Sequence, residues 1–328
     1  MNRTKSVRWG ILGTGSIAKK FALGLRAADN AELMAVGSRS NQTAEAFARE
    51  HGAARAHASY NELAEDPDVD AIYIATPHVL HRENTLACIA GEKAVLCEKP
   101  FAMNAREGEE MVTAARNAET SLCEAMWTRF LPGTRRVREL ISSGAIGEPR
   151  QLECDFGFRT ELDPKGRLFS PALGGGALLD VGIYCVAYAR MVFGSAPAEM
   201  HSSAHIGETG VDEQSAYLFR YESGALARMS SATRTQTAHR ATISGTEGSI
   251  EIPGFWHAQE LIVNGELERH PHKGNGYTHE AIAVGEALAA GAKECAEIPL
   301  DETLEIARTL DELRGQWGLS YPADEVNG

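Results

Sequence analysis

The sequence predicts an α/β fold in two domains: a doubly wound parallel sheet at residues 1–125, then an α+β domain at 126–328 with a large, mostly antiparallel open sheet. Three observations support this prediction: a glycine-rich strand–turn–helix near the start, alternating strands and helices up to about residue 125, and short alternating segments in the second half. A chain of 328 residues is also longer than one ordinary hydrophobic core supports.

The first strand and helix surround a dinucleotide-binding fingerprint. The apolar run 7–12 leads into Gly13-Thr14-Gly15-Ser16-Ile17-Ala18, which reads G-x-G-x-x-A. Gly13 permits the tight turn, Gly15 lets the backbone approach a pyrophosphate, and the helix N-terminus supplies free N–H groups. An isolated match is often a glycine turn without a ligand, but the βαβ pattern that follows favours a nucleotide. We expect the cofactor to contact Gly13, Gly15, Ser16 and Ile17.

The loop after the second strand, 32–36, predicts which dinucleotide is preferred. NAD-binding versions usually place an acidic residue near the end of this strand to hold the ribose 2′-hydroxyl. Here the chain reads Gly37-Ser38-Arg39-Ser40, and an arginine with hydroxyl neighbours suits a 2′-phosphate. Ser38 and Arg39 are therefore expected to bind NADP in preference to NAD. The same loop is also suited to N-capping the next helix.

The following elements continue to alternate. The pattern predicts a helix at 42–50, a weak strand at 54–58, a strand at 71–75, a helix at 81–90, a strand at 94–97, a helix at 104–117 and a strand at 121–125. Because these strands are apolar on both faces, they predict a parallel sheet that is covered on both sides.

Beyond Trp127 the pattern changes. Helices are predicted at 131–142 and 177–192, and two more close the chain at 279–289 and 301–317. Between them, alternating segments lie at 216–221, 225–232, 241–244 and 261–263, with turns that contain glycine. This spacing is typical of an antiparallel meander.

Composition excludes several functional classes. A net charge of −13 without a basic run argues against nucleic acid as a partner, and no apolar run approaches the ~20 residues of a membrane helix. The six cysteines form no C-x-x-C pair, so we expect neither disulfides nor a zinc cluster and assign no metal site. Residues 1–5 lead directly into the first strand without the apolar region of a signal peptide, which predicts a cytoplasmic protein.

Two loops after apolar strands carry candidate functional residues. Glu98-Lys99-Pro100 closes the strand 94–97, where the lysine would sit beside a bound nicotinamide. Thr76-Pro77-His78 closes the strand 71–75, and His81 begins the next helix, where we expect it to contact the cofactor or to cap that helix. A lysine after a strand is also a common solvated surface charge.

A glycine run, 174–176, opens the helix predicted at 177–192. Asp180 and Tyr184 follow it at positions i and i+4, which predicts that they project from one helix face. A carboxylate and a phenol so placed can hold and protonate a substrate oxygen. They can equally form a hydrogen bond that only stabilises the helix.

Aromatic residues supply a candidate substrate pocket. The flat faces of Trp127, Phe158 and Trp256 suit sugar rings or aryl groups, although buried tryptophans are more often part of a core. Arg129 is expected to hold either Glu124 or a substrate oxygen. The remaining histidines of the second half are expected at the surface: 239, 257, 270, 272 and 279.

In their order and spacing these motifs resemble the glucose-fructose oxidoreductase, inositol dehydrogenase and rhizopine-catabolism (Gfo/Idh/MocA) family. The resemblance spans nearly the whole chain and rests on the Gly13 fingerprint, Thr76-Pro77 with His81, Glu98-Lys99-Pro100 and Asp180-x-Gly182-x-Tyr184. Many members have histidine at the last position. Tyrosine there, together with the segments 124–130 and 253–256, resembles the branch of dimeric dihydrodiol dehydrogenases and NADP-dependent xylose or glucose dehydrogenases.

The resemblance implies a Rossmann domain and a hydride transfer between NADP and a secondary alcohol or carbonyl of a sugar, a sugar derivative or a dihydrodiol. It places Lys99 and Tyr184 on either side of the nicotinamide, and it implies a homodimer that packs through the C-terminal sheets. Tyr184 then serves as base or acid, Lys99 favours its phenolate, and Asp180 orients the substrate hydroxyl or the lysine.

Two alternatives within the family are an NAD-dependent glycoside hydrolase and a non-catalytic dinucleotide-sensing regulator. The presence of both Lys99 and Tyr184 argues against the regulator, and Arg39 argues against a retained NAD.

Overall fold

The computed structural model describes residues 6–325, which form two compact units. Unit 1 comprises the described residues up to Ala102, together with Arg106–Phe130 and His272–Thr303. Unit 2 comprises Met103–Ala105, Leu131–Pro271 and the described residues from Leu304 onward. The division therefore differs from the single boundary expected at residue 125. Residues 1–5, from which a cytoplasmic location was predicted, lie outside the described residues.

Unit 1 is built on a six-stranded sheet in the order β3-β2-β1-β4-β5-β6, in which every neighbouring pair is parallel. Its strands are β1 (Val7–Leu12), β2 (Ala31–Gly37), β3 (Arg55–His57), β4 (Ala71–Ile74), β5 (Ala94–Glu98) and β6 (Leu122–Ala125). Every residue of β4, β5 and the edge strand β6 is buried, as expected for a sheet covered on both faces. The predicted doubly wound parallel sheet is confirmed.

Helices connect and cover these strands: α1 (Ser16–Leu25), α2 (Asn41–His51), the short α3 (Tyr60–Ala64), α4 (His81–Ala90) and α5 (Ala105–Asn117). A later helix, α8 (Tyr277–Ala289), also belongs to unit 1 because it packs against α1. The hydroxyl of Thr278 donates to the carbonyl of Gly24 over 2.9 Å, and a Cβ at Gly24 would lie 3.0 Å from the Thr278 nitrogen. This close helix contact explains why α8 belongs to unit 1.

Unit 2 contains an eight-stranded sheet in the order β14-β13-β12-β11-β7-β10-β9-β8. Its strands are β7 (Pro149–Gly157), β8 (Glu199–Ile206), β9 (Asp212–Arg220), β10 (Leu226–Ala232), β11 (Arg240–Gly245), β12 (Ser249–Pro253), β13 (Glu260–Val263) and β14 (Glu266–Arg269). All neighbours are antiparallel except β7 and β10. The large, mostly antiparallel sheet is confirmed, but a simple meander is wrong, because β7 inserts at its centre between β10 and β11.

The remaining helices are α6 (Pro132–Ser142), α7 (Ile183–Phe193) and α9 (Leu300–Trp317). A π-helical turn, Leu178–Gly182, precedes α7 and packs closely on the sheet. A Cβ at Gly182 would lie 2.6 Å from the Tyr217 hydroxyl oxygen, so only glycine fits there. The segment Pro171–Phe193 is long and apolar enough to cross a membrane, but 89% of its apolar window is buried, as in a core helix.

Candidate active site

The start of α1 offers an open backbone at the carboxyl edge of the parallel sheet. The strand order reverses between β1 and β4, the point where sheets of this type bind ligands. Gly13 has φ +108°, and a Cβ there would lie 2.9 Å from the carbonyl oxygen of Ala75. Gly15 precedes α1 with no atom within 4 Å of its Cβ position. No side chain among the described residues caps α1, so the N–H groups that begin with Ser16 and Ile17 fit an anionic pyrophosphate.

The loop after β2 presents an unpaired cation. Arg39 is exposed and makes no hydrogen bond or ion pair with another residue in the part of the chain that the structure describes. Ser38 is buried, with its hydroxyl oxygen 2.7 Å from that of Thr43. Ser40 caps α2 by accepting from the Thr43 N–H over 3.5 Å, so this loop is also a helix cap. The free guanidinium fits a phosphate ligand.

His81 joins the loops that follow β4 and β5. Its Nδ1 lies 2.9 Å from the carbonyl oxygen of Pro100, and its Nε2 lies 3.0 Å from that of Thr76. The Thr76 hydroxyl also accepts from Asn84 over 3.0 Å, whereas Pro77 is exposed at the tip of its loop. Burial lowers the pKa of His81 to about 4, with a further contribution from nearby His78. A ring that is 1% exposed braces both loops and leaves little surface for the cofactor contact suggested by the sequence.

Glu98 holds the backbone that carries Lys99. One carboxylate oxygen of Glu98 accepts from the Tyr73 hydroxyl, and the other accepts from the Lys99 N–H over 3.0 Å. Burial raises the pKa of Glu98, and the positive charge of Lys99 opposes this shift. Lys99 itself is half-buried and precedes a cis peptide bond to Pro100. Glu98 is therefore a structural residue of unit 1 that fixes the backbone of Lys99.

Two further carboxyl groups are buried in unit 1. Glu124 accepts from the Thr303 hydroxyl over 2.9 Å, and burial raises the pKa of Glu124 to about 7. Glu280 is fully buried, and neither of its oxygens has a hydrogen-bond partner among residues 6–325. Burial and the neighbouring charge of Glu98 raise its pKa well above the usual value. Arg129, expected to hold Glu124 or a substrate oxygen, pairs with Glu302 at 2.6 Å, and its charge also lowers the pKa of Glu124 against the effect of burial.

In unit 2 the helix that carries Tyr184 begins differently from the prediction. Asp180 lies in the π-helical turn and Tyr184 in the first turn of α7, so the continuous α-helix predicted at 177–192 is wrong in its first turn. The buried carboxylate of Asp212 accepts from the Leu178 N–H over 2.8 Å and so caps this helix from β9. Burial raises the pKa of Asp212 to about 7, although these backbone hydrogen bonds oppose the shift.

An aromatic cluster lies on one side of Tyr184 and contacts it through Phe156. Phe156, on β7, lies 5.5 Å from the Tyr184 ring between centroids and stacks on Trp256 at 5.3 Å with an interplanar angle of 12°. The Trp256 indole N–H donates to Nδ1 of His239 over 3.3 Å. Phe158 follows β7 and is half-buried. Phe156 was not among the predicted pocket residues, although the apolar alternation of Leu152, Cys154 and Phe156 is a strand signal.

Other predicted pocket residues are placed differently. Trp127 is 5% exposed and stacks on Tyr277 at 4.7 Å inside unit 1. The structure does not bring it together with Trp256 in one unit. The five histidines expected at the surface reach it only in part, because all of them are half-buried: 239, 257, 270, 272 and 279. No group of three or more His, Cys, Asp or Glu residues within 6–325 is arranged to hold a metal ion.

Comparisons with known proteins agree with this architecture. Residues 7–125 match the model of an oxidoreductase family with an NAD-binding Rossmann fold, and residues 134–251 match a GFO/IDH/MocA C-terminal domain. The trans-1,2-dihydrobenzene-1,2-diol dehydrogenase of Mus musculus is 38% identical over 98% of this chain and 99% of its own. Among solved structures, the aldose-aldose oxidoreductase from Caulobacter crescentus has a TM-score of 0.87 at 25% identity, covering 96% of this chain and 98% of that one. A 3-ketoreductase from Actinomadura kijaniata, in complex with NADP and TDP-benzene, has a TM-score of 0.83 at 25% identity, covering 95% and 98%.

We predict that Glu124→Gln stabilises the protein at pH 8 but not at pH 4. Because the folded-state pKa is raised from 4.5 to about 7, the stability linked to the protonated carboxyl is present below about pH 4.5 and lost as the pH rises through 7. Glutamine keeps an acceptor for Thr303 and carries no charge. The expected gain in the free energy of unfolding at pH 8 is up to ~3 kcal/mol.

Urea unfolding at pH 4, 6 and 8 measures this difference. The exposed Glu65→Gln in unit 1 is the matched control and should change little at any pH. A stability difference for Glu124→Gln that does not vary with pH would contradict the assignment.

Proposed function

The chain belongs to the Gfo/Idh/MocA oxidoreductase family, and from that premise we propose that it is an NADP-dependent enzyme that oxidises a secondary alcohol, or reduces the corresponding carbonyl, of a sugar, a sugar derivative or a dihydrodiol. The observation that carries the proposal is the open, uncapped start of α1 at the same sheet edge as the unpaired Arg39. Similarity to dihydrodiol dehydrogenases over nearly the full length supports the inclusion of dihydrodiols.

In the proposed reaction, three residues have separate roles beside the cofactor: Tyr184, Lys99 and Asp180. A bound nicotinamide supplies the hydride acceptor or donor. Tyr184 accepts the hydroxyl proton in oxidation and returns it in reduction. The ammonium of Lys99 favours the phenolate, and Asp180 orients the reacting hydroxyl. The six described cysteines are free and buried, which supports the further proposal of a reducing, cytoplasmic location.

A substrate screen with NADP tests the function. Pentoses, hexoses, 1,5-anhydrofructose, 3-deoxyglucosone and dihydrodiols are each incubated with NADP or NADPH, and the nicotinamide absorbance is followed. Release of NADPH with a pure, unglycosylated sugar or diol supports a dehydrogenase. Cleavage of a glycoside without net cofactor reduction would instead identify the hydrolase, and cofactor binding without turnover would identify the regulator.

Arg39→Ala should weaken NADP binding ~10- to 100-fold and leave NAD binding unchanged, because it removes a charge-assisted pair with the 2′-phosphate. Fluorescence titration with each dinucleotide measures both affinities. Arg49→Ala, which removes an exposed arginine on α2, is the control and should affect neither. Equal weakening of NAD and NADP by Arg39→Ala would show that the 2′-phosphate assignment is wrong.

Tyr184→Phe keeps the ring that packs near Phe156 but deletes the transferable proton, so turnover should fall by ~10² to 10⁴ with little change in NADP affinity. Lys99→Met should cause a similar loss, and the double variant should be hardly slower than either single one, because both residues serve one proton transfer. Tyr221→Phe, at a buried tyrosine packed on Phe193, is the control. Near-normal turnover in Tyr184→Phe would restrict Tyr184 to a structural role.

We also propose a homodimer that packs through the open face of the unit 2 sheet. Outward positions on β8 and β9 alternate with buried or half-buried ones, and Leu218 is 39% exposed on this face. A sheet face of this kind is commonly covered by a second copy in symmetric oligomers. Sedimentation velocity at micromolar concentration should show a dimer that Leu218→Asp dissociates. Leu23→Asp, at the 48% exposed leucine of α1 in unit 1, should leave it intact, and a wild type that is only monomeric would contradict the pairing.

A further inference from the structure

Asp180 has a cationic partner that no sequence motif indicated. Nη1 of Arg167 lies 2.7 Å from Oδ1 of Asp180. The two side chains differ in their surroundings: that of Arg167 is 61% exposed, whereas that of Asp180 is 12% exposed. The pair therefore connects a largely buried carboxylate to a guanidinium at the surface of unit 2.

The segment that carries Arg167 is held at its start. Residues 158–173 connect β7 to the glycine run, and the Arg159 backbone forms an isolated bridge with that of Arg234. The guanidinium of Arg234 donates to the carbonyl of Thr160 over 2.8 Å and lies over the buried Phe169 ring, 5.9 Å from its centroid. These contacts fix both the entry of the segment and the residue two positions after Arg167.

The same segment is bound to the glycine run that opens the Tyr184 helix. The Gly176 N–H donates to the carbonyl of Leu168 over 2.9 Å, and the Gly175 N–H donates to that of Ser170 over 2.9 Å. A Cβ at Gly175 would lie 2.8 Å from the Leu168 carbonyl, so a larger residue would push the segment away. The glycine run thus sets the distance between Arg167 and the helix turn that carries Asp180.

This placement distinguishes the pair from ordinary surface ion pairs. Exposed pairs contribute little because both side chains are solvated and mobile. Here the backbone on each side of the contact is hydrogen-bonded into one unit, and the carboxylate is mostly withdrawn from water. A charge-assisted bond from a planar guanidinium under these conditions restricts the orientation of the carboxylate.

We propose that Arg167 is a positioning residue that holds the Asp180 carboxylate in the orientation needed to align the reacting hydroxyl of the substrate. The proposal rests on the function proposed above, in which Asp180 contacts that hydroxyl. Arg167 acts through Asp180 alone, so its removal lowers the rate of the chemical step more than it weakens substrate binding.

Steady-state kinetics of Arg167→Ala, Asp180→Asn and the double variant test the proposal. Arg167→Ala should lower kcat ~10- to 100-fold while KM changes by less than about threefold, since misalignment of a bound reactant affects mainly the chemical step. In the Asp180→Asn background the same substitution should change kcat less than about twofold. Arg167→Lys, which keeps a cation in weaker geometry, should retain an intermediate kcat.

Chemical rescue gives a readout that a structural role would not produce. Millimolar guanidinium should restore part of the kcat of Arg167→Ala and have no such effect on Arg167→Lys or on the wild type. Arg269→Gln is the matched control, because Arg269 is an exposed arginine of unit 2 that pairs with one carboxylate, Glu260, at 3.2 Å. Thermal unfolding of each variant confirms that it is folded.

The outcomes separate the two proposals. If the wild type turns over no substrate with NADP or NADPH, the proposed function fails and the role of Arg167 fails with it. If the wild type is active but Arg167→Ala has a normal kcat, or lowers kcat equally in both Asp180 backgrounds, only the positioning role is overturned.

Discussion

Backbone N–H groups at the start of a helix need acceptors, and the two helix starts that carry the motifs of this chain meet that need in opposite ways. At α1 no described side chain provides a cap, and the space at the Gly15 Cβ position is empty. At the Tyr184 helix the buried carboxylate of Asp212 reaches across from β9 and accepts from the Leu178 N–H. Both starts are glycine-rich in the sequence, but only the first leaves its donors available to an anionic ligand.

The difference arises from what lies against each glycine. A Cβ at Gly176, which has φ +126°, would lie 2.2 Å from Oδ1 of Asp212 and 3.0 Å from the Tyr321 hydroxyl oxygen. The helix start in unit 2 is therefore filled by its own protein, and the glycine run there serves close packing. This packing positions the π-helical turn and the segment that carries Arg167. In unit 1 no atom lies within 4 Å of the Gly15 Cβ position, so this glycine leaves room for a ligand at the start of α1.

Local patterns predicted unit 1 well and unit 2 less completely. Helix α4 occupies residues 81–90 as predicted, and the fully buried β4 and β5 differ from their predicted ranges only at an end. In unit 2, four strands were missed: β7, β8, β12 and β14. On β7 the charged Glu153 and Asp155 alternate with buried residues, which is the period-two pattern of a strand with one covered face, so this strand could have been predicted from the sequence. Asp212 and Arg167 could not be found from sequence, because each meets its partner through tertiary contacts that no local spacing encodes.

The missed strand β7 also links the two faces of the sheet to the surroundings of Tyr184. On one face, the Phe156 ring packs against that of Tyr184 and against that of Trp256. On the other, the carboxylate of Asp155 accepts from the N–H of His239 over 2.8 Å and so helps to hold that residue at φ +59°. His239 then accepts from the Trp256 indole N–H. Strand β7 therefore holds Phe156 directly and helps to hold Trp256 through Asp155 and His239. Because adjacent residues of a strand point to opposite faces, a substitution at Asp155 makes no contact with Tyr184. It can still shift the aromatic rings that pack near Tyr184, through His239 and Trp256.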